Sequence, residues 1–345
     1  MNGPGNRGTD GRLPETLPVR SALRYALGVL TGAVFVFLLY TGSLLALDRT
    51  GHLPPPPLSN SICVDEKLKF LREHHDISPT LLITGSSVAW RGVDTALLQS
   101  ELPGERAFNG ALCGQKVNQT ARTTDWFLKH YPGIRTIVML AVPQDFTRCR
   151  VTPSASFPVA ETDDYVFGKE TTSLPLKFYL EFFDPVSLQH NARRIAALRR
   201  GELPLDTLAS TPTGDGPVDT EISRSDLGAG ALPPYDPACF SALGQMERTA
   251  GDSGRHFVVV ILPLKREWER RYDPDHRRRA ELMADMKPDL VRTHGQEIDL
   301  EDRLSLPEAA FTDATHVRWS AVPAITEVLG DVLRSGAGAP AGDRG

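Results

Sequence analysis

Two short stretches, far apart in the chain, carry residue types that together could make an activated nucleophile. Residues 81–90 read LLITGSSVAW: an apolar run, a break at Gly85, then the hydroxyls of Ser86 and Ser87. Residues 311–319 read FTDATHVRW and hold Asp313 and His316 three positions apart. A serine hydroxyl is inert at neutral pH until a base removes its proton, and histidine is the side chain best suited to do so. The imidazole in turn needs a carboxylate to fix its tautomer and stabilise its charged form. A D-x-x-H turn supplies both from one loop. Each stretch alone has an ordinary reading, since serines cap helices and short Asp/His pairs are common. The combination is what points to a hydroxyl at Ser86 or Ser87 as nucleophile, with His316 as base and Asp313 as orienting carboxylate.

The elements around them must bring the two stretches together. From Val64 onward, helical and strand patterns alternate, which predicts a parallel sheet with helices on its faces. Strands are expected at 81–84, 106–108, 136–141, 256–262 and 297–300, and helices at 66–74, 116–130, 186–198, 240–249 and 321–333. The run HFVVVIL at 256–262 has the near-continuous apolar character of a central parallel strand. In such a sheet a turn after the first strand and a loop before the last helix fall on the same carboxyl edge, where open α/β sheets bind their ligands. The expected fold is a three-layer α/β/α sandwich with a central parallel sheet, flavodoxin-like, over residues 63–335. A Gly/Pro/Asp/Thr-rich stretch at 201–234 reads as a mobile insertion.

One membrane helix is expected before this domain. Residues 25–47 contain no charge, enough to cross a bilayer core of roughly 30 Å at about 1.5 Å per residue. Arg7, Arg12, Arg20 and Arg24 precede it, which by the positive-inside rule puts the N-terminus in the cytoplasm and the domain outside. Residues 1–24 and 336–345 read as disordered tails, and the proline run within 48–62 as a stiff spacer. All four cysteines lie beyond the anchor and none forms a CxxC pair, so disulfides are expected and zinc is not. Cys113–Cys149 is the favoured pairing, because both residues follow strands at one sheet edge. No metal or cofactor is expected. The formal charge of −5 and pI near 6.0 give no basic field for nucleic acid.

On these residues the chain resembles the SGNH (GDSL-like) hydrolases and acyltransferases. Gly85-Ser86-Ser87 stands where that family has Gly-Asp-Ser, which implies Ser87 as nucleophile, with Ser86 where Asp is frequent. Asn109-Gly110-Ala111-Leu112-Cys113-Gly114 is similar to the second block. It implies the backbone N–H of Gly114, with that of Ser87, in an oxyanion hole, and Asn109 near the substrate. Val142-Pro143-Gln144-Asp145 stands in place of G-x-N-D. The usual Asn is absent, and Gln144 offers the same amide from one methylene further away. Asp313 and His316 match the final D-x-x-H. The resemblance spans roughly 80–333, apart from 201–234.

The anchor, the Gly-Ser-Ser turn and Pro263-Leu264-Lys265 after the fourth strand look like a membrane-tethered subgroup. Its examples act in alginate O-acetylation and teichoic-acid D-alanylation. That resemblance implies transfer of an acyl group, received from a multi-spanning membrane acyltransferase, onto a cell-surface polysaccharide. Lys265 and Arg266 would then stand where an anionic polymer passes. An esterase or deacylase with the same triad, and a catalytically incompetent scaffold, are the alternatives.

Overall fold

The computed structural model describes residues 19–168, 174–290 and 295–337. It divides into two compact units, Met1–Leu53 and Pro54–Gly345. In the first, a single helix runs Val19–Arg49. Its apolar part has a mean hydropathy of 2.0 and is only 6% buried, so the helix is long and apolar enough to cross a membrane. It begins at Val19, which takes Arg20 and Arg24 into its first turns rather than into a disordered tail. The remainder of the expected N-terminal tail, and residues 338–345 of the C-terminal one, lie outside the described residues.

The second unit is an α/β fold built on five parallel strands: β1 (Leu81–Gly85), β2 (Ala107–Asn109), β3 (Thr136–Ala141), β4 (His256–Ile261) and β5 (Gln296–Asp299). Their order is β2-β1-β3-β4-β5, every neighbouring pair parallel. Alternation along each strand divides the core in two. Leu82, Ile137, Met139, Phe257 and Val259 pack on one face with the helices Val117–His130 and Pro237–Asp252. Leu81, Ile83, Val138, Leu140 and Val258 pack on the other with Val322–Ala337. The result is the expected three-layer sandwich.

The chain leaves β1 and runs outward to one side as β2, then crosses back as β3. That reversal between β1 and β3 opens a crevice at their carboxyl ends. Gly85 closes β1 at φ 140°, and a Cβ there would collide with the Leu140 carbonyl of β3. Only glycine fits, so the chain can turn sharply and start the helix Ser87–Arg91 directly over the crevice.

Three expectations need correcting. The 201–234 stretch forms no helix or strand, but it is not a loose insertion. Asp215 is fully buried and accepts from the Thr95 N–H (3.0 Å), the Thr95 hydroxyl and Asn109 Nδ2 (2.9 Å), while Lys67 Nζ donates to the Gly214 carbonyl. Arg318 then stitches residues 220–223 to the loop that carries His316, donating to the carbonyls of Thr220 and Ile222 and to Ser223 Oγ. Replacing Asp215 by alanine removes the carboxylate whose charge offsets buried Lys67 and leaves the Thr95 N–H and hydroxyl without their acceptor. We expect a loss of about 3–5 kcal/mol, seen as a lower urea midpoint at unchanged slope.

The prolines at 54–56 are buried and Leu58 joins the core, so this segment belongs to the domain and is not a free strut. The disulfides are Cys63–Cys113 and Cys149–Cys239, not Cys113–Cys149. Cys63 and Cys113 pack against the core on one face of the sheet, whereas Cys149 and Cys239 belong to the core on the other. The sheet therefore separates Cys113 from Cys149 and leaves each beside the partner it bonds. Cys149–Cys239 closes a separation of 90 residues, and on chain entropy its removal costs about 4–5 kcal/mol. Denaturant unfolding of the Cys149→Ser, Cys239→Ser double variant checks this.

Candidate active site

Ser87 is the first residue of its helix, so its backbone N–H has no intrahelical acceptor. Its neighbour Ser86 is buried and donates to Asp145 Oδ2 at 3.1 Å, which removes Ser86 from the crevice and leaves Ser87 at its surface. Burial first, opposed by Lys116 and these hydrogen bonds, raises the Asp145 carboxyl to about 6. The Ser86–Asp145 contact ties the β1 turn to the residues following β3.

The loop 311–317 is a tight turn, closed by a bridge between Phe311 and Val317 and by the Thr312 N–H donating to the His316 carbonyl at 2.9 Å. Within it, Asp313 Oδ1 accepts the backbone N–H groups of Thr315 (2.9 Å) and His316 (2.8 Å). Its other oxygen, Oδ2, accepts from His316 Nδ1 at 2.8 Å. Burial alone would raise the Asp313 carboxyl. The His316 hydrogen bond and charge, with the two backbone N–H groups, outweigh it and hold the pKa at about 2. Asp313 is therefore ionised at neutral pH and keeps the proton on Nδ1. The opposite nitrogen, Nε2, is left as an acceptor, and it lies 2.8 Å from Ser87 Oγ. The structure thus joins Asp313, His316 and Ser87 in one hydrogen-bonded relay, from segments at opposite ends of the domain.

These residues open onto a cleft of about 250 Å³. One wall carries the Cys63–Cys113 disulfide, and another Leu205, Leu208 and Val218 from the 201–234 stretch and its approach. Three arginines also line it: Arg91, Arg194 and Arg224. None was singled out from the sequence for this role. Arg91 carried a signal, standing four residues after Ser87 and so on the same face of a helix; Arg194 and Arg224 carried none.

The other expected site residues are placed as follows. Gly114 follows the cleft-lining Cys113 in a turn at φ 70°, but does not itself line the cleft. The Gln144 amide is buried without a hydrogen-bond partner, also outside the lining. Asn109 is fully buried and bonds Asp215 and the carbonyls of Ala89 and Trp90, so its role is to clamp the crossing segment rather than to meet substrate. Lys265 pairs with Glu267 at 2.8 Å and Arg266 bonds Ser305; neither lines the cleft. The Lys265 backbone N–H does support the loop that carries Asp313 and His316, donating to the Ala314 carbonyl at 3.0 Å.

Among the described residues, Glu269, His276 and Glu301 bring ligand-type atoms within 4.8 Å of one another. Arg279 already supplies positive charge there, 2.8 Å from Glu301, and none of the three lines the cleft.

No family model matches the chain, and no curated protein matches its sequence. Solved structures give distant likenesses. An inhibitor-bound aryl esterase of M. smegmatis is 11% identical, with a TM-score of 0.39 over 74% of this chain and 98% of that one. A carbohydrate acetylesterase family member from Sinorhizobium meliloti is 13% identical, with a TM-score of 0.36 over 76% of this chain and 100% of that one. A putative arylesterase from Agrobacterium tumefaciens is 15% identical, with a TM-score of 0.36 over 74% of this chain and 99% of that one. Likeness at this level assigns neither family nor activity, so the chemistry rests on the residues of the cleft: an ionised Asp313, a His316 held in one tautomer, and a Ser87 hydroxyl within its reach.

Proposed function

We propose that this chain is a membrane-anchored, SGNH-type serine enzyme that moves an acyl group through an ester on Ser87, with a cell-surface polysaccharide hydroxyl as acceptor. The observation that carries the reading is the Asp313–His316–Ser87 relay, with both side-chain contacts at 2.8 Å. As Ser87 Oγ attacks an acyl carbonyl, its proton passes to His316 Nε2, and Asp313 stabilises the resulting imidazolium without taking the proton. The Ser87 backbone N–H is free to meet the developing oxyanion; the Gly114 N–H and the unpartnered Gln144 amide, both outside the cleft lining, would have to turn towards it to serve as the further donors. Collapse of the tetrahedral intermediate breaks the bond to the leaving alkoxide, which takes the proton back from Nε2. An acceptor hydroxyl then repeats the steps in reverse and leaves Ser87 free.

The setting supports an extracytoplasmic location. The Val19–Arg49 helix suits a single membrane anchor, and two disulfides suit an oxidising compartment. The N-terminus is then cytoplasmic and the domain outside, where a multi-spanning acyltransferase could supply the acyl group. An esterase differs from this only in using water as acceptor. An incompetent scaffold is disfavoured by the intact relay.

The test uses the full chain in detergent with 4-nitrophenyl acetate. We expect a burst of nitrophenolate and an acetyl adduct at Ser87, absent from Ser87→Ala. Acetyl passing to an added oligosaccharide faster than to water supports the transferase, and transfer to water alone supports the esterase. Equal rates for wild type and Ser87→Ala would sink both.

A further inference from the structure

We propose that Arg91, assisted by Arg194 and Arg224, makes the cleft a receptor for a carboxylate or phosphate carried by the substrate close to the ester that Ser87 attacks. This deepens the reading of Ser87 as nucleophile and rests on it. Arg91 ends the helix that Ser87 begins, one turn away on the same face. It is only 7% exposed yet lines the cleft. Nη2 donates to the Thr207 carbonyl at 2.9 Å, and the guanidinium lies 4.5 Å from the Trp90 ring centroid. Its other terminal nitrogen, Nη1, is buried with no hydrogen-bond partner in the protein.

Burial lowers the Arg91 pKa to about 10, which leaves the group charged at neutral pH. The carboxylates facing it are both committed elsewhere. Asp206 accepts from Arg224 Nη2 at 2.8 Å, and Asp313 is held by His316 and two backbone N–H groups. Arg224 adds a second guanidinium, its Nε 3.8 Å from Asp313. Arg194 is an exposed third, with no ion-pair partner among the described residues.

A buried guanidinium with an unused donor is costly alone and is offset when an anion enters. Leu198, Leu208 and Val218 beside it exclude water and strengthen that attraction. A planar guanidinium also favours carboxylate or phosphate over a neutral hydroxyl, because two parallel N–H bonds fit two oxygens. A purely architectural role, tying the 207 segment to the helix, would use Nη2 alone. It would not explain why three arginines from three segments meet at one cleft.

The anion could sit on the acyl group or on the polymer, and two arms separate these sources. In the first, kcat/KM is compared for 4-nitrophenyl hemisuccinate and 4-nitrophenyl acetate. In the second, methyl glucuronide and methyl glucoside compete as acceptors from the acetyl-enzyme. The anionic probe should be preferred about tenfold or more in one arm, and Arg91→Met should erase that preference, with Arg91→Lys intermediate. Arg194→Gln, an exposed substitution that leaves the core untouched, should reduce the preference about two- to fivefold, and less at high salt.

Wild type preferring neither anionic probe overturns the proposal, whatever the variants do. A preference that survives both Arg91→Met and Arg91→Lys does the same. Calorimetry of Ser87→Ala with succinate and with methyl glucuronide separates this proposal from the catalytic one. Anion binding that depends on Arg91, without Ser87-dependent turnover, would retain the anion site and remove the enzyme. Turnover without anion preference would do the reverse.

Discussion

Ser87→Ala should lower kcat/KM for 4-nitrophenyl acetate by about four to six orders of magnitude while leaving the fold intact. The size follows from the relay. Without Oγ, no atom stands 2.8 Å from His316 Nε2 to attack the carbonyl, and in serine enzymes of this design loss of the nucleophile costs about as much as loss of the whole triad. What survives is binding and oxyanion stabilisation, roughly 10³–10⁴ over water. Stability should change little, because the substitution removes one half-exposed hydrogen bond worth about 1 kcal/mol. A drop of tenfold or less, measured with urea midpoints in parallel, would show that the nucleophile lies elsewhere. Ser86→Ala gives the contrast: its hydroxyl is spent on Asp145, so its loss should be felt in stability before rate.

Asp313→Asn should cost about 10⁴ in kcat at pH 7, by reversing one tautomer. In the native loop Oδ1 takes the N–H groups of Thr315 and His316, and Oδ2 takes the Nδ1 proton. An asparagine must keep its carbonyl oxygen on the two backbone donors. Its NH₂ then faces Nδ1, which has to become an acceptor, and the imidazole proton moves to Nε2. That nitrogen now presents a proton to Ser87 and can no longer serve as base. A loss below about tenfold, with the fold intact, would mean that Asp313 does not set the tautomer.

The same carboxylate gives a pH signature. Its folded pKa of about 2 lies below the ordinary value of 3.8. Its stabilisation is therefore fully present above about pH 4 and is lost as pH falls through 2. By linkage this is worth about 2–3 kcal/mol. Acid unfolding of Asp313→Asn should lack that component, so its stability should fall less steeply than wild type between pH 4 and pH 2.

Residues 201–234 show where linear reading fails. A stretch rich in glycine, proline and threonine has no periodicity, so nothing in it signals order. Its order comes from partners elsewhere: Asp215 on Thr95 and Asn109, Arg318 on the carbonyls at 220 and 222. Asn109 was misread for the same reason. Its position after β2 suggested a ligand contact, but the amide is consumed in holding this segment. Lys265 and Arg266 follow β4, but Lys265 pairs with Glu267 and Arg266 donates to the Ser305 hydroxyl, both outside the cleft. The disulfide pairing depended on which face of the sheet each cysteine packs against, which the positions of four cysteines along the chain do not encode.

What the sequence determined by itself was the set of strongly local features. Short apolar runs such as 136–141 and 256–262, rich in β-branched residues, point to buried strands, and the uncharged 25–47 run sits within a helix long enough to cross a membrane. Gly85 followed by two serines marks a turn where no other residue fits, and Asp313 with His316 lies within one turn's reach. Tertiary structure brought Ser87 within reach of His316, and it alone decided which cysteines meet and that Arg91, Arg194 and Arg224 share a cleft. The reason is physical: periodicity and turn chemistry act over a few residues, whereas these choices depend on strand order and on which buried polar groups find partners far along the chain.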